Sequence, residues 1–175
     1  QSALAALPEQ QPRRGPGPER AAQKRKEKRR VRLDPAHIAG MGIAVARRQE
    51  LLDALAARIT GRGGDAQAVS CDLSDLDAID ELVKTVGPVD ILINNAGRSI
   101  RRPLAESLDR WHDVERTMAL NYLSPLRLIR GFAPAMIERG DGHIINVATW
   151  GVMNEAAQLF AVYNASKAAL AAVSR

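Results

Sequence analysis

Tyr163 and Lys167 stand four residues apart in the run Val162-Tyr163-Asn164-Ala165-Ser166-Lys167-Ala168-Ala169-Leu170. Alanine favours helix, and a helix sets residues four apart on one face, one turn from each other. A free tyrosine, with a pKa of roughly 10, is a poor acid or base near neutrality. A fixed ammonium one turn away favours the phenolate and draws that pKa toward working pH. The pair therefore suits proton transfer to or from an alcohol or carbonyl oxygen. The same spacing also fits an ordinary exposed helix pair, so the residues upstream decide.

Those residues alternate between strand and helix patterns from residue 40 onward. Ile43 to Ala46 reads as a short buried strand. Arg48 to Ile59 reads as an amphipathic helix with Leu51, Leu52 and Leu55 on one side. Ala66 to Ser70 is a second strand, followed by Cys71-Asp72-Leu73. Ser74 or Asp75 caps a helix that runs to about Val86, where Gly87-Pro88 stops it. Val89 to Asn94 is the most strand-like run. Helices are expected at Leu108 to Arg116 and Thr117 to Glu138, then a strand at Gly142 to Ala148 and the helix bearing Tyr163 and Lys167. Strands separated by helices of this length imply βαβ units and a parallel sheet covered on both faces.

In open α/β sheets, ligands bind at the carboxyl ends of the strands, and the unusual residues fall there. After one strand comes Asn94-Asn95-Ala96-Gly97. The small residues let a ligand approach the backbone, and the two amides can tie neighbouring strand ends together. The same residues also make an ordinary turn. Asn94-Asn95-Ala96-Gly97, Ala119-Leu120-Asn121-Tyr122, the Ile144-Ile145-Asn146-Val147 strand and Tyr163-x-x-x-Lys167 occur in one order and spacing. In that combination the sequence resembles the short-chain dehydrogenase/reductase family, over about residues 42 to 175. Arg98 to Arg116 and Trp150 to Leu170 look most like actinobacterial members that act on fatty acyl or fatty aldehyde groups.

The resemblance implies an α/β, Rossmann-like parallel sheet with helices on both faces and a nicotinamide-dependent oxidoreductase. Tyr163 would exchange a proton with the substrate oxygen. Lys167 would lower the tyrosine pKa and hold the nicotinamide ribose, and Asn121 would position a water relaying protons to Lys167. Thr149 falls where relatives carry a serine that bonds the substrate oxygen. Its hydroxyl offers the same donor, but its β-branching restricts the rotamer, and a plain strand-end role stays open. Asp72 and Leu73 match the family's adenine-contacting pair, unless Asp72 serves only the following helix. Asn95, Ala96 and Gly97 join them as cofactor contacts, and no metal is expected. At the end of the Ile43–Ala46 strand an acid would bind ribose hydroxyls, whereas arginine accommodates a 2′-phosphate. Arg47 and Arg48 stand there, which favours NADP(H) over NAD(H). Trp150, Val152, Met153, Leu159 and Phe160 suggest an apolar substrate, with core packing as the alternative. Helices such as those carrying Asn121 and Tyr163 form a dimer face in many relatives, so a homo-oligomer is expected.

The +5 formal charge is uneven: ten Lys and Arg lie in residues 1 to 35 against four acids, leaving the remainder near neutral. Pro8, Pro12, Pro16 and Pro18 precede the basic run Lys24 to Arg32, so residues 1 to 39 are expected to be an unfolded head. It could be an electrostatic arm, but it has no aromatic residue for base stacking, and no nucleic-acid partner is expected. Cys71 is the only cysteine, which fits a reduced compartment, and no apolar run reaches the ~18 residues of a membrane span. A cytoplasmic protein is the expectation. The family's first strand and Thr-Gly-x-x-x-Gly-x-Gly loop have no counterpart. Gly40-Met41-Gly42 is a weak remnant, more cheaply explained as a flexible connection. The chain reads as a fragment at both ends, with two half-sheets left by the lost central strand. On that ground it is expected to be a weak enzyme or a non-catalytic piece.

Overall fold

The computed structural model describes residues 40–153 and 158–174, so the head expected over residues 1–39 lies outside the described residues. Strand β1 (Met41–Ala46) pairs in parallel with β2 (Asp65–Ser70), and β3 (Ile91–Asn94) pairs in parallel with β4 (His143–Asn146). Among the described residues each strand has that one neighbour, which is the pair of half-sheets the sequence led us to expect. Met41 and Gly42 pair with Asp65 and Ala66. The Gly-x-Gly stretch therefore enters a strand and is not a flexible connection.

Helix α1 (Gln49–Thr60) crosses from β1 to β2, and α2 (Leu76–Val86) leads toward β3. Asp75, not Ser74, caps α2: its carboxylate accepts from the amides of Asp77 and Ala78 at 3.0 and 3.2 Å, satisfying two of the orphan donors at the helix start. A 3₁₀ turn at Leu104–Ser107 precedes α3 (Trp111–Met118), which runs through a π turn (Ala119–Leu123) into α4 (Ser124–Arg139). The two helices expected here thus start later and join into one helical run. No glycine or proline falls between Trp111 and Ser124 to stop it. Pro125 removes one ladder donor at the junction, an interruption that a π turn accommodates. Helix α5 (Ala161–Ala172) carries Tyr163 and Lys167.

The core forms where α2 and α4 meet the strands. Cys71, Leu73, Ile79 and Leu82 pack with Leu128, Phe132 and Met136, and Val45, Val69 and Leu92 close the cluster from the two strand pairs. Burial pushes the Cys71 thiol upward, with Asp72 and Asp75 adding to the effect, so this cysteine is a core residue rather than a nucleophile. Gly131 lets α2 and α4 touch: a Cβ there would stand 2.6 Å from Val83 Cγ2. Arg127 donates through Nε to Asp80 Oδ1 at 2.7 Å and through its terminal nitrogen to Oδ2, fastening the same two helices. Leu52 of α1 is buried outside this cluster. The second pair has one bare face, where Ile91, Ile93 and Ile145 are exposed. No helix among the described residues is long and apolar enough to cross a membrane.

Candidate active site

The site assembles at the carboxyl ends of β3 and β4, where side-chain amides tie the strand ends and the loop after β3 to α5. Asn94 closes β3 and donates through Nδ2 to Asn146 Oδ1 at 2.8 Å, tying β3 to β4. Asn146 in turn donates to Ser174 Oγ at 2.8 Å, joining β4 to the end of α5. The tie between strand ends read from the Asn-Asn pair is therefore made by Asn94. Asn95 is exposed at the turn beyond it. The second amide sits on the π turn. Asn121 is wholly buried; its Oδ1 accepts from the Arg98 amide at 2.7 Å, and its Nδ2 donates to the Arg98 carbonyl at 2.8 Å and to Ser166 Oγ at 2.9 Å. One side chain thus fixes the loop after β3 to helix α5.

Lys167 is 3% exposed and donates to the Val147 carbonyl, just past β4, at 2.7 Å. Burial holds its ammonium below the usual lysine range. Gly97 is the point where the loop meets the helices. A Cβ on Gly97 would lie 3.4 Å from Asn121 Oδ1 and 3.6 Å from Lys167 Nζ, so three separate sequence motifs converge within van der Waals contact of one position. Tyr163 is half-buried one turn before Lys167, with Phe160 edge-on to its ring at 6.3 Å between centroids. The Tyr163 carbonyl accepts from Ser166 Oγ at 2.7 Å, which binds Ser166 to both Asn121 and the tyrosine's turn. Thr149 stands half-buried before a short 3₁₀ turn, and its Oγ1 accepts from the Gly151 amide at 3.3 Å. A hydroxyl accepting one bond can still donate its own proton. Leu159 and Phe160 are half-buried beside this region, whereas Trp150 and Met153 are largely exposed.

A crevice of about 800 Å³ opens between the two strand pairs, lined by Val45, Ala46 and Arg47 on one side and Ala96, Gly97 and Arg98 on the other. Asp72 and Leu73 form its floor with Leu120, and Arg116 reaches it from α3. The structure therefore brings Arg47, Asp72, Leu73, Ala96 and Gly97 to one cavity, while Arg48, at the start of α1, is not among its walls. Asp72 does not cap α2; its Oδ1 accepts from the Ser74 amide at 2.9 Å in a tight turn. Leu73 is mainly a core residue that shows one side to the crevice. Sequence reasoning gave Arg98 and Arg116 no role in the crevice. Position 98, next to the Asn94–Gly97 turn, is the one signal that pointed at the first of them.

The family profile described as short chain dehydrogenase matches residues 37–175. The chain belongs to the short-chain dehydrogenase family. It is 74% identical over 137 residues to a fatty acyl-CoA reductase of Mycobacterium tuberculosis, covering 76% of this chain and 47% of that protein. It is 48% identical over 151 residues to a fatty acyl-CoA reductase of Acinetobacter baylyi, covering 84% of this chain and 50% of the relative. The fold superposes with a TM-score of 0.69 on a metagenomic short-chain oxidoreductase crystallised in complex with NADP, at 36% identity over 75% of this chain and 59% of the other. The chain spans about half the length of the curated relatives it matches.

Proposed function

We propose that this short-chain dehydrogenase is an NADP(H)-dependent oxidoreductase that interconverts a carbonyl and an alcohol on an apolar, fatty acyl or fatty aldehyde substrate. The observation that carries the reading is the convergence of Gly97, Asn121 and Lys167 on one point, one helical turn from Tyr163. A nicotinamide dinucleotide fits the residues present: the crevice runs along the strand ends, and at Gly97 its wall is backbone without a side chain. Arg47 in the crevice wall, with no acid beside it at the end of β1, supports a ligand with a 2′-phosphate. The substrate class rests on the names of the two reductases above and on the apolar side chains Leu159 and Phe160 beside Tyr163.

A bound nicotinamide supplies or accepts the hydride, which is the cofactor's own chemistry. The protein's part is to hold the proton and the geometry. Tyr163 presents the phenol that gives its proton to the substrate oxygen during reduction and takes it back during oxidation. Lys167, its ammonium aimed by the Val147 carbonyl, favours the phenolate and offers further donors to ribose hydroxyls. Asn121 holds the loop to α5 and sits beside Lys167, where a water would relay protons outward. Thr149 donates to the substrate oxygen. Pairing of two copies along α4 and α5 belongs to the same reading.

Titration with NADPH, followed by nucleotide fluorescence, tests the site, and Tyr163→Phe tests the chemistry. Saturable micromolar binding by both proteins, with turnover of a fatty aldehyde lost by about 10²-fold or more in the variant, is the expected result. Equal turnover by Tyr163→Phe would sink the assignment. Each strand has one neighbour among the described residues, which favours a second reading, a chain that keeps the residues of the site without catalysing. Its signature is NADPH binding, or none, with no turnover by either protein.

A further inference from the structure

Asp113, on α3, is the one buried acid among the described residues, and the chemistry above gives it no part. It does not line the crevice either. An ionised carboxylate is unfavourable in an interior unless cations meet it. Arg102 donates through Nη1 to Asp113 Oδ2 at 2.6 Å, and Arg110 donates through Nε to the same oxygen at 2.9 Å. His112 and Arg98 stand 3.4 and 4.0 Å from the other oxygen. The hydrogen bond from Arg110, followed by that from Arg102, holds the carboxyl below its ordinary range, so it stays an anion. What this anion holds is the irregular stretch 95–103 that follows β3. Asn121 clamps the Arg98 backbone near the start of the stretch, and Asp113 anchors the Arg102 side chain near its end. The Arg102 amide then donates to the Leu159 carbonyl at 2.8 Å. Leu159 adjoins Phe160, whose ring meets Tyr163 edge-on, and α5 begins at Ala161 without a side-chain cap. The entry to the helix bearing Tyr163 is thus held from outside, by a donor residue that is itself fastened to Asp113.

We propose that Asp113, acting through Arg102, is a positioning residue that sets the Leu159–Phe160 wall beside Tyr163 and so governs how tightly the site holds the apolar chain of its substrate. The inference rests on the carbonyl–alcohol reading for the substrate, but not for the tie itself. Arg102 and Arg110 both bond the same carboxylate oxygen, yet only Arg102 carries the bond to the Leu159 segment. That difference separates positioning from stability. The whole chain is compared with Asp113→Asn, Arg102→Gln and the control Arg110→Gln. One measurement is hydrogen exchange of the Arg102 amide by NMR. The other is steady-state reduction of decanal and of propanal with NADPH.

Loss of the charge-assisted anchor should speed exchange of the Arg102 amide about tenfold in Asp113→Asn and Arg102→Gln and leave it unchanged in Arg110→Gln. The same two variants should raise KM for decanal about tenfold, with kcat and the KM for propanal near wild type, the pattern of a lost contact made equally in ground and transition states. Unchanged exchange in Asp113→Asn, an equal effect in Arg110→Gln, or equal changes for both aldehydes overturns the proposal. Where wild type reduces neither aldehyde, the proposed function fails by itself, and the dissociation constant of decanal, followed by tryptophan fluorescence, takes the place of KM. Weaker decanal binding in the two variants then supports the positioning role, and no binding by wild type overturns it. Circular dichroism checks that each variant folds; if Asp113→Asn does not, Arg102→Gln, whose side chain is partly exposed, decides the same question.

Discussion

Asn121→Ala is the sharpest test of how the site is held together. The amide makes three hydrogen bonds from a wholly buried position, two to the Arg98 backbone and one to Ser166 Oγ. Each is worth about 1 kcal/mol net, and leaving a buried partner unsatisfied costs more than the bond itself contributes. Arg98 is half-buried, and water entering beside it in the variant would recover part of that loss. It does not reach Ser166, which is 0% exposed, although Ser166 keeps its bond to the Tyr163 carbonyl. The expected destabilisation is therefore about 2–3 kcal/mol, or several degrees in Tm for a folded unit of this size. Urea unfolding followed by circular dichroism measures it, and NADPH titration of the same protein should reveal weaker binding as the loop slackens. Asn121→Asp sharpens the argument. It keeps an acceptor for the Arg98 amide but sets a carboxylate against the Arg98 carbonyl, so its deficit should shrink as pH falls and the acid protonates. A loss below about 0.5 kcal/mol in Asn121→Ala would refute the claim that this side chain ties the loop to α5.

Three other outcomes follow from the structure. Burial lowers the Lys167 pKa from the ordinary 10.5, so the unfolded chain holds this proton longer than the folded one. Stability should rise with pH from the lowered folded value up to about 10.5, and that rise should vanish in Lys167→Met when unfolding is measured across alkaline pH. Asp80 is held below its ordinary range, first by the hydrogen bond from Arg127. Its contribution is present above the unfolded value of 3.8 and fades as pH falls through the lower folded one. Asp80→Asn should remove that acid limb; an unchanged acid transition would mean the α2–α4 ion pair does not couple to folding. Gly131→Ala gains roughly 1 kcal/mol in helix propensity but drives a methyl to 2.6 Å from Val83, and overpacking of about 1–3 kcal/mol should win. A higher Tm than wild type would show that α2 can move away at little cost.

Much of this was legible along the chain because the signals are local. Helical spacing put Tyr163 and Lys167 on one turn, alternating strand and helix patterns led to parallel pairing, and Asn94-Asn95-Ala96-Gly97 marked a strand end where small residues bare the backbone. The register of β1 was not legible. Met41 and Gly42 look like a linker until Asp65 and Ala66 stand opposite them, and pairing partners 24 residues apart leave no local trace. The join of α3 to α4 escaped for a related reason. A boundary was expected between Arg116 and Thr117, yet the helix continues to Met118 and passes into a π turn that aims Asn121 inward, which packing rather than local sequence decides.

The amino-acid sequence by itself determined the family and the side-chain types available for chemistry, since side-chain type and spacing within a helix or turn suffice for that. Only the tertiary structure decided which residues share a site. Gly97, Asn121 and Lys167 meet because β3, the π turn and α5 converge at the strand ends. Arg47, Arg98 and Arg116 come to one crevice from three elements, while Arg48, next in the chain to Arg47, does not. Distance through the fold is set by burial of a common core, and a linear sequence carries that only as the sum of all its apolar faces.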